Sequence, residues 1–173
     1  LEHRQLLIER REHQATLERR VEEATRDLAL ALKELEAANA KLKELSFKDE
    51  VTGHFNRRLF SIRLEEEINR YRRFNHPVSL ILLDLDGFKA INDELGHAAG
   101  DETLRDVAQL LLKHSRGINV IARYGGDEFV ILLVETAKSG ARLYADRIRE
   151  AVSTHAFAHG QRITASFGVA SLP

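Results

Sequence analysis

The chain has 173 residues, 43% of them apolar and 31% charged, with 26 Lys/Arg balanced by 27 Asp/Glu. This is too apolar for a disordered chain, no apolar run approaches the ~20 residues that cross a bilayer, and no basic excess marks a nucleic-acid-coating surface. No cysteine is present, which removes disulfides, thiolate nucleophiles and Cys-ligated zinc.

Residues 1–46 contain neither glycine nor proline and are rich in Ala, Leu, Glu, Lys and Arg, a strongly helix-forming composition. The early apolar run 6–8 is closed by Glu9 and Arg10, so no secretory signal is written there. With Leu7 at heptad position a, that position continues through Gln14, Val21, Leu28, Leu35 and Leu42. Position d reads Arg10, Leu17, Ala24, Ala31, Ala38 and Leu45. From Leu17 to Leu45 every a and d residue is apolar, and this 3.5-residue period predicts a left-handed coiled coil. The plainer alternative is one amphipathic helix packed on its own domain. Against it, the seam is narrow, and about 40 residues at 1.5 Å each would overshoot a small domain.

From residue 47 the pattern is that of an α+β domain. Residues 59–75 read as a helix closed by Pro77, and 78–85 as a short buried strand ending in acid. Helices are expected at 88–95 and 101–115, and a hairpin of strands 119–123 and 129–134 around residues 124–128. A helix at 137–154 and a strand at 162–170 complete the order. It gives a single mixed sheet flanked by helices, and not a doubly wound dinucleotide fold.

Asp84 and Asp86 fall at the end of the apolar strand, and Asp127 and Glu128 at the hairpin tip. Carboxylates so placed repel one another and lose hydration unless a cation joins them. If the two strands are neighbours, Asp84 and Asp127 converge on one hard cation. Few carboxylates, no cysteine and no paired histidine suit Mg²⁺ (or Mn²⁺) carrying nucleotide phosphates better than zinc. Asp86 is assigned a structural role, with its side chain on the opposite face of the strand from Asp84. Gly125 and Gly126 supply the backbone freedom of the tip. Turn amides at the start of the next helix, with Lys89, form a phosphate cradle, and Asn92 and Asp101 offer a donor and an acceptor to a purine edge. The duller alternatives are His97 closing a helix end and Asp101 capping one.

Arg123-Tyr124-Gly125-Gly126-Asp127-Glu128-Phe129, with the upstream Asp84–Asp101 pattern, resembles the GGDEF family of diguanylate cyclases. The stretch from Asp49 to Arg58 resembles that family's opening motif, with Val51 and His54 where leucine is usual, and Ser166-Phe167-Gly168-Val169-Ala170 resembles its later strand. The resemblance covers residues 47–173, and residues 1–46 resemble the signalling helix often found before this domain.

The resemblance implies a palm-like sheet similar to that of nucleotidyl cyclases, and condensation of two GTP into cyclic di-GMP with release of two pyrophosphates. By it, Asp84, Asp127 and the Leu85 carbonyl hold the metal. Asp127 also accepts the proton of the attacking 3′-hydroxyl, Glu128 is a second acid, and Lys89 offsets charge on the phosphates. Phe88 packs in the core with its amide toward phosphate, while Asn92, His97 and Asp101 contact the nucleoside; Arg57 and Arg58 are structural partners or solvent-facing, not catalytic. One domain holds one GTP, so two half-sites must face each other, which implies a homodimer through a parallel coiled coil under an upstream sensor. The expected setting is the bacterial cytoplasm, without contact to nucleic acid or membrane by this segment.

Two departures stand out. The family's product-inhibition site, Arg-x-x-Asp, reads here Arg116-Gly117-Ile118-Asn119, with Arg147 where a supporting arginine sits; without the acid, product inhibition is expected to be weak or absent. The family pattern also expects one more helix and strand after Pro173, so the chain reads as an excerpt of a longer protein. The rival readings are a domain that binds GTP or cyclic di-GMP without turnover, and a passive passenger on a dimerising helix.

Overall fold

The computed structural model describes residues 14, 17, 19–36, 38 and 47–172. The chain divides into two compact units, one ending at residue 46 and the other starting at residue 47.

In the first unit residues 19–36 form helix α1, with every side chain exposed. Val21, Leu28 and Leu35 recur every seven residues and are 64%, 71% and 65% exposed. Seam positions Leu7, Arg10, Leu42 and Leu45 lie outside the described residues.

The second unit runs β1 (Phe55–Asn56), α2 (Arg57–Phe74), β2 (Val78–Asp86), α3 (Phe88–Leu95), α4 (His97–Lys113), β3 (Val120–Gly125), β4 (Glu128–Leu133), α5 (Lys138–Thr154) and β5 (Thr164–Leu172). Two differences from the sequence reading bear on the site. First, Asn56 both ends the short strand β1 and caps α2, its side-chain oxygen accepting from the amides of Arg58 (3.0 Å) and Leu59 (3.2 Å). The helix therefore starts at Arg57 and not at 59. Second, α4 starts at His97, four residues before the expected 101. Gly96, with φ +84°, separates α3 from α4 without any spacer.

The sheet order is β1-β3-β4-β2-β5, with β1 and β3 parallel and the remaining pairs antiparallel. Strand β2 is central, and alternate residues are buried along its second half: Leu83 and Leu85 are within 1% of complete burial while Leu82 is 42% exposed. Ile81, Leu83 and Leu85 join Phe129, Ile131 and Leu133 of β4 in the larger core, packed with Ile91 of α3, Leu104 of α4 and Ile148 of α5. The opposite face holds a smaller cluster, where Phe60 of α2 meets Val120, Ala122, Val130 and Leu132. Each such buried side chain stabilises the fold by roughly 1.5–3 kcal/mol, so β2 and β4 are fixed as neighbours by both cores. Among the described residues no helix is long and apolar enough to cross a membrane.

Candidate active site

The pairing of β2 with β4 sets Asp84 directly opposite Glu128, and the pairing with β5 sets Asp84 opposite Ser166. Cross-strand partners share a face of the sheet. Side chains two apart on a strand also share one, so Asp86 points to the same side as Asp84. This corrects the assignment of the two aspartates to opposite faces: the exposed residues of β2 are Leu82, Asp84 and Asp86, and the intervening Leu83 and Leu85 enter the core. Asp86 is held by β5, accepting from Thr164 Oγ1 at 2.6 Å and from Ser166 Oγ at 2.7 Å. The hydroxyl opposite Asp84 is thus spent on its neighbour.

Partial desolvation, then the negative charges of Asp127 and Asp86, push the Asp84 carboxyl above its ordinary range. Asp127, half-buried in the turn, is therefore within electrostatic reach of Asp84. Among the described residues no three Asp, Glu or His side chains close into a ready-made metal cage. A pair of mutually repelling carboxylates without soft ligands fits a hard cation that brings phosphate oxygens and water with it.

The turn is shaped by its glycines and held by an arginine. Gly126 sits at φ +53°, which favours glycine, and the register shifts between Arg123 and Gly125 so that Tyr124 bulges out of the β3–β4 ladder. Tyr124 packs edge-on against Phe60, with the Arg57 guanidinium 4.5 Å from its ring centre. Arg58 lies over Phe47; both arginines have the structural placements expected. Arg123 Nε donates to the Gly126 carbonyl at 2.9 Å, and its Nη1 reaches both Asp49 oxygens at 3.2 Å. Asp49 is burdened by burial, but hydrogen bonds from the Thr52 amide and hydroxyl, then Arg123, hold its carboxyl below the ordinary value. Sequence reasoning quoted Asp49 and Arg123 within two motifs without joining them; their strictly local neighbours carry no sign of the pairing.

On the other side of Asp84, Gly87 caps α3 in the left-handed conformation with no side-chain bond to the first helical amides. Phe88 is 8% exposed and belongs to the core, so its backbone alone is free to meet a ligand, while Lys89 is exposed. Asn92 lies across α4 at Gly100: a Cβ there would overlap Asn92 Oδ1 and come within 3.2 Å of Phe88 Cζ. The residue after Gly100, Asp101, is half-buried in the second turn of α4 and lies 4.0 Å from Arg105. Asp101 is consequently not a helix cap, and His97 opens α4, exposed, instead of closing a helix.

The sequence model of the family described as "Diguanylate cyclase, GGDEF domain" matches residues 46–173. The chain belongs to this family. It is 42% identical over 133 residues to the response regulator PleD of Caulobacter vibrioides, covering 74% of this chain and 29% of that protein. It is 37% identical over 161 residues to MucR of Pseudomonas aeruginosa, a bifunctional diguanylate cyclase/cyclic di-GMP phosphodiesterase, covering 92% of this chain and 23% of MucR. The chain thus spans under a third of either relative. Among solved structures it resembles the coiled coil and GGDEF domain of DgcB from Caulobacter crescentus in complex with c-di-GMP, with TM-score 0.80, 26% identity, and coverage of 88% of this chain and 83% of that one. The active GGEEF domain of a Vibrio cholerae diguanylate cyclase matches with TM-score 0.66, 35% identity, and coverage of 68% and 76%.

The α4–β3 connection and α5 also bring together the three residues assigned to a degenerate product site. Arg116, Asn119 and Arg147 line one cleft of about 250 Å³ with Tyr144 and Thr136. Asn119 is engaged within the protein: its Nδ2 donates to Ser115 Oγ (3.1 Å) and its Oδ1 accepts from the Val134 amide (3.2 Å). Arg147 donates to the His114 carbonyl at 3.1 Å.

Proposed function

We propose that this GGDEF chain is the catalytic part of a diguanylate cyclase that joins two GTP into cyclic di-GMP and releases two pyrophosphates. The observation that carries the reading is that the Asp84 carboxyl is raised by desolvation first and then by the charge of Asp127, so that the two acids from β2 and the hairpin turn act on one another. Asp84, Asp127 and the Leu85 carbonyl are the groups that would hold Mg²⁺ or Mn²⁺. Such a cation supplies charge neutralisation at the triphosphate.

The chain's own residues supply the rest. The uncapped amides at Gly87–Lys89 and the Lys89 ammonium receive the phosphates at the start of α3. Asn92 and Asp101, with His97 at the rim, orient the nucleoside so that its 3′-hydroxyl and α-phosphate are presented for attack. Asp127 takes the proton from the attacking 3′-hydroxyl, and Glu128, opposite Asp84, keeps that hydroxyl aligned. Two GTP bound to two copies are joined head to tail, so turnover requires two domains facing each other.

The seven-residue spacing and exposure of Val21, Leu28 and Leu35 support a parallel coiled-coil homodimer through α1 that raises the concentration of one domain for the other. An upstream sensor acting on helix crossing would then control the encounter. The loss of the acid at Asn119, together with its internal bonds, supports weak product inhibition through Arg116.

The test is to incubate the full-length protein and its Asp127→Ala variant with GTP and Mg²⁺, and to follow nucleotides chromatographically. Cyclic di-GMP from the parent and none from the variant is expected. Bound GTP without product in the parent would instead establish a receptor.

A further inference from the structure

The last two residues of β2 are paired on one side only. The ladder with β4 stops at Asp84, opposite Glu128, whereas the ladder with β5 continues through Leu85 to Asp86, opposite Thr164. Gly87 follows at φ +76°, and α3 begins at Phe88 with no side-chain cap on its first amides. The Leu85 carbonyl and the amides of residues 87–89, which the cyclase reading gives to the cation and the phosphates, therefore lie at and just beyond a strand end that has a single neighbour. Strand ends held on one side open at lower free energy than the strands beside them.

Asp86 fastens that end. Its Oδ2 accepts from Thr164 Oγ1 at 2.6 Å and its Oδ1 from Ser166 Oγ at 2.7 Å, both in the range of charge-assisted O–H···O⁻ bonds. Thr164 is its cross-strand partner, while Ser166 stands opposite Asp84 and reaches Asp86 along the diagonal. Each carboxylate oxygen thus has its own donor, and an exposed side chain is fixed at two points. Both donors belong to β5, the one strand that pairs with this part of β2.

We propose that Asp86 is a positioning residue for the cation and phosphate turn: through Thr164 and Ser166 it anchors residues 85–88 to β5, and it holds no ion itself. What the turn receives rests on the cyclase reading; the anchor is a property of the chain without ligand and is measured without turnover. The hydroxyls of Thr164 and Ser166 act on the turn only through Asp86. Groups that orient ligands without touching the ion typically govern metal affinity by about 10- to 100-fold.

The experiment compares the full chain with Asp86→Ala and with Thr164→Val/Ser166→Ala, which removes both hydroxyls and leaves every charge in place. Amide hydrogen exchange without metal, followed by NMR, should be faster by about tenfold at residues 85, 86 and 90 in both variants, the equivalent of one lost hydrogen bond to a charged group. The amide of Ile131, in the buried core of β4, should be unchanged and so separates local opening from unfolding. Thr164→Ser/Ser166→Thr, which keeps both donors, should exchange as the parent does. Mn²⁺ titrated with a non-hydrolysable GTP analogue, and read as the free-ion EPR signal, should bind about tenfold more weakly to both variants. All three substitutions together should cost no more than Asp86→Ala alone. Unchanged exchange in the folded variants overturns the anchor, even where the parent binds Mn²⁺. Weaker Mn²⁺ binding in Asp86→Ala with full affinity in Thr164→Val/Ser166→Ala makes the Asp86 charge itself the contributor and overturns the positioning role. A parent chain that takes up no Mn²⁺ overturns the cyclase reading, and the role at the turn with it, whatever the exchange shows.

Discussion

Arg123 is bonded to Asp49 across 74 positions of sequence, and the same guanidinium holds the carbonyl of Gly126. The loop that opens the domain is thereby tied to the turn bearing Asp127 and Glu128. The pair is largely withdrawn from solvent, with side chains 15% and 20% exposed, so its bonds are screened less than those of a surface ion pair. Replacing Asp49 by alanine is expected to destabilise the domain by about 2 kcal/mol, as loss of a partly buried charged hydrogen-bond group does. Because the folded carboxyl lies below its ordinary value, its stabilisation is present above the unfolded pKa and is lost as pH falls through the folded one. Urea denaturation of parent and Asp49→Ala chains should therefore differ at pH 7 and converge in acid.

Asp84 has the opposite sign. Its folded pKa is raised, so the folded chain holds this proton more tightly than the unfolded chain does. The associated stability is present below the ordinary carboxyl value, about 3.9, and disappears as pH rises through the raised one. Asp84→Asn relieves the repulsion with Asp127 and should melt at a higher temperature than the parent at pH 7 in chelator. The same variant should lose cyclic di-GMP synthesis by a factor of about 100 or more, as expected when preorganised electrostatics at a phosphoryl group are removed.

Gly100→Ala tests the proposed nucleoside role of Asn92 without touching a charged group. The new methyl group would displace the Asn92 carboxamide from its seat on α4. A rise of about tenfold in KM for GTP is expected, equivalent to one lost hydrogen bond, with kcat little changed. Steady-state kinetics beside a thermal melt would separate this from simple unfolding.

The phenylalanine that ends the motif has a packing role. Phe129 is fully buried in the larger core beside Ile81, Leu83 and Ile131. Phe129→Ala should cost about 3–5 kcal/mol of stability, measured by denaturant unfolding, and should lower activity in proportion to the folded fraction.

Much of this was legible in the chain. The apolar run of β2, the hairpin around Gly125-Gly126 and the five longer helices and strands that flank them were written in local periodicity and turn chemistry, which act over a few residues. The two-residue strand β1 was not, because its pairing with β3 brings Phe55 to Ala122 and carries almost no local pattern. The start of α4 was misread because Gly96 ends one helix and begins the next with no spacer, so the helix extends through Gly100, which makes room for Asn92. The placement of Asp86 failed on strand period alone: residues two apart share a face, and the hydroxyls of Thr164 and Ser166 that occupy it come from a strand almost 80 positions away.

The most direct measurement is of a paramagnetic divalent ion at the acids. Mn²⁺ added substoichiometrically with a non-hydrolysable GTP analogue should broaden the amide signals of residues 84–86 and 126–128 first, and Asp84→Asn should abolish that selectivity. Broadening centred elsewhere in the domain, or unchanged in Asp84→Asn, would contradict a shared cation between β2 and the hairpin turn.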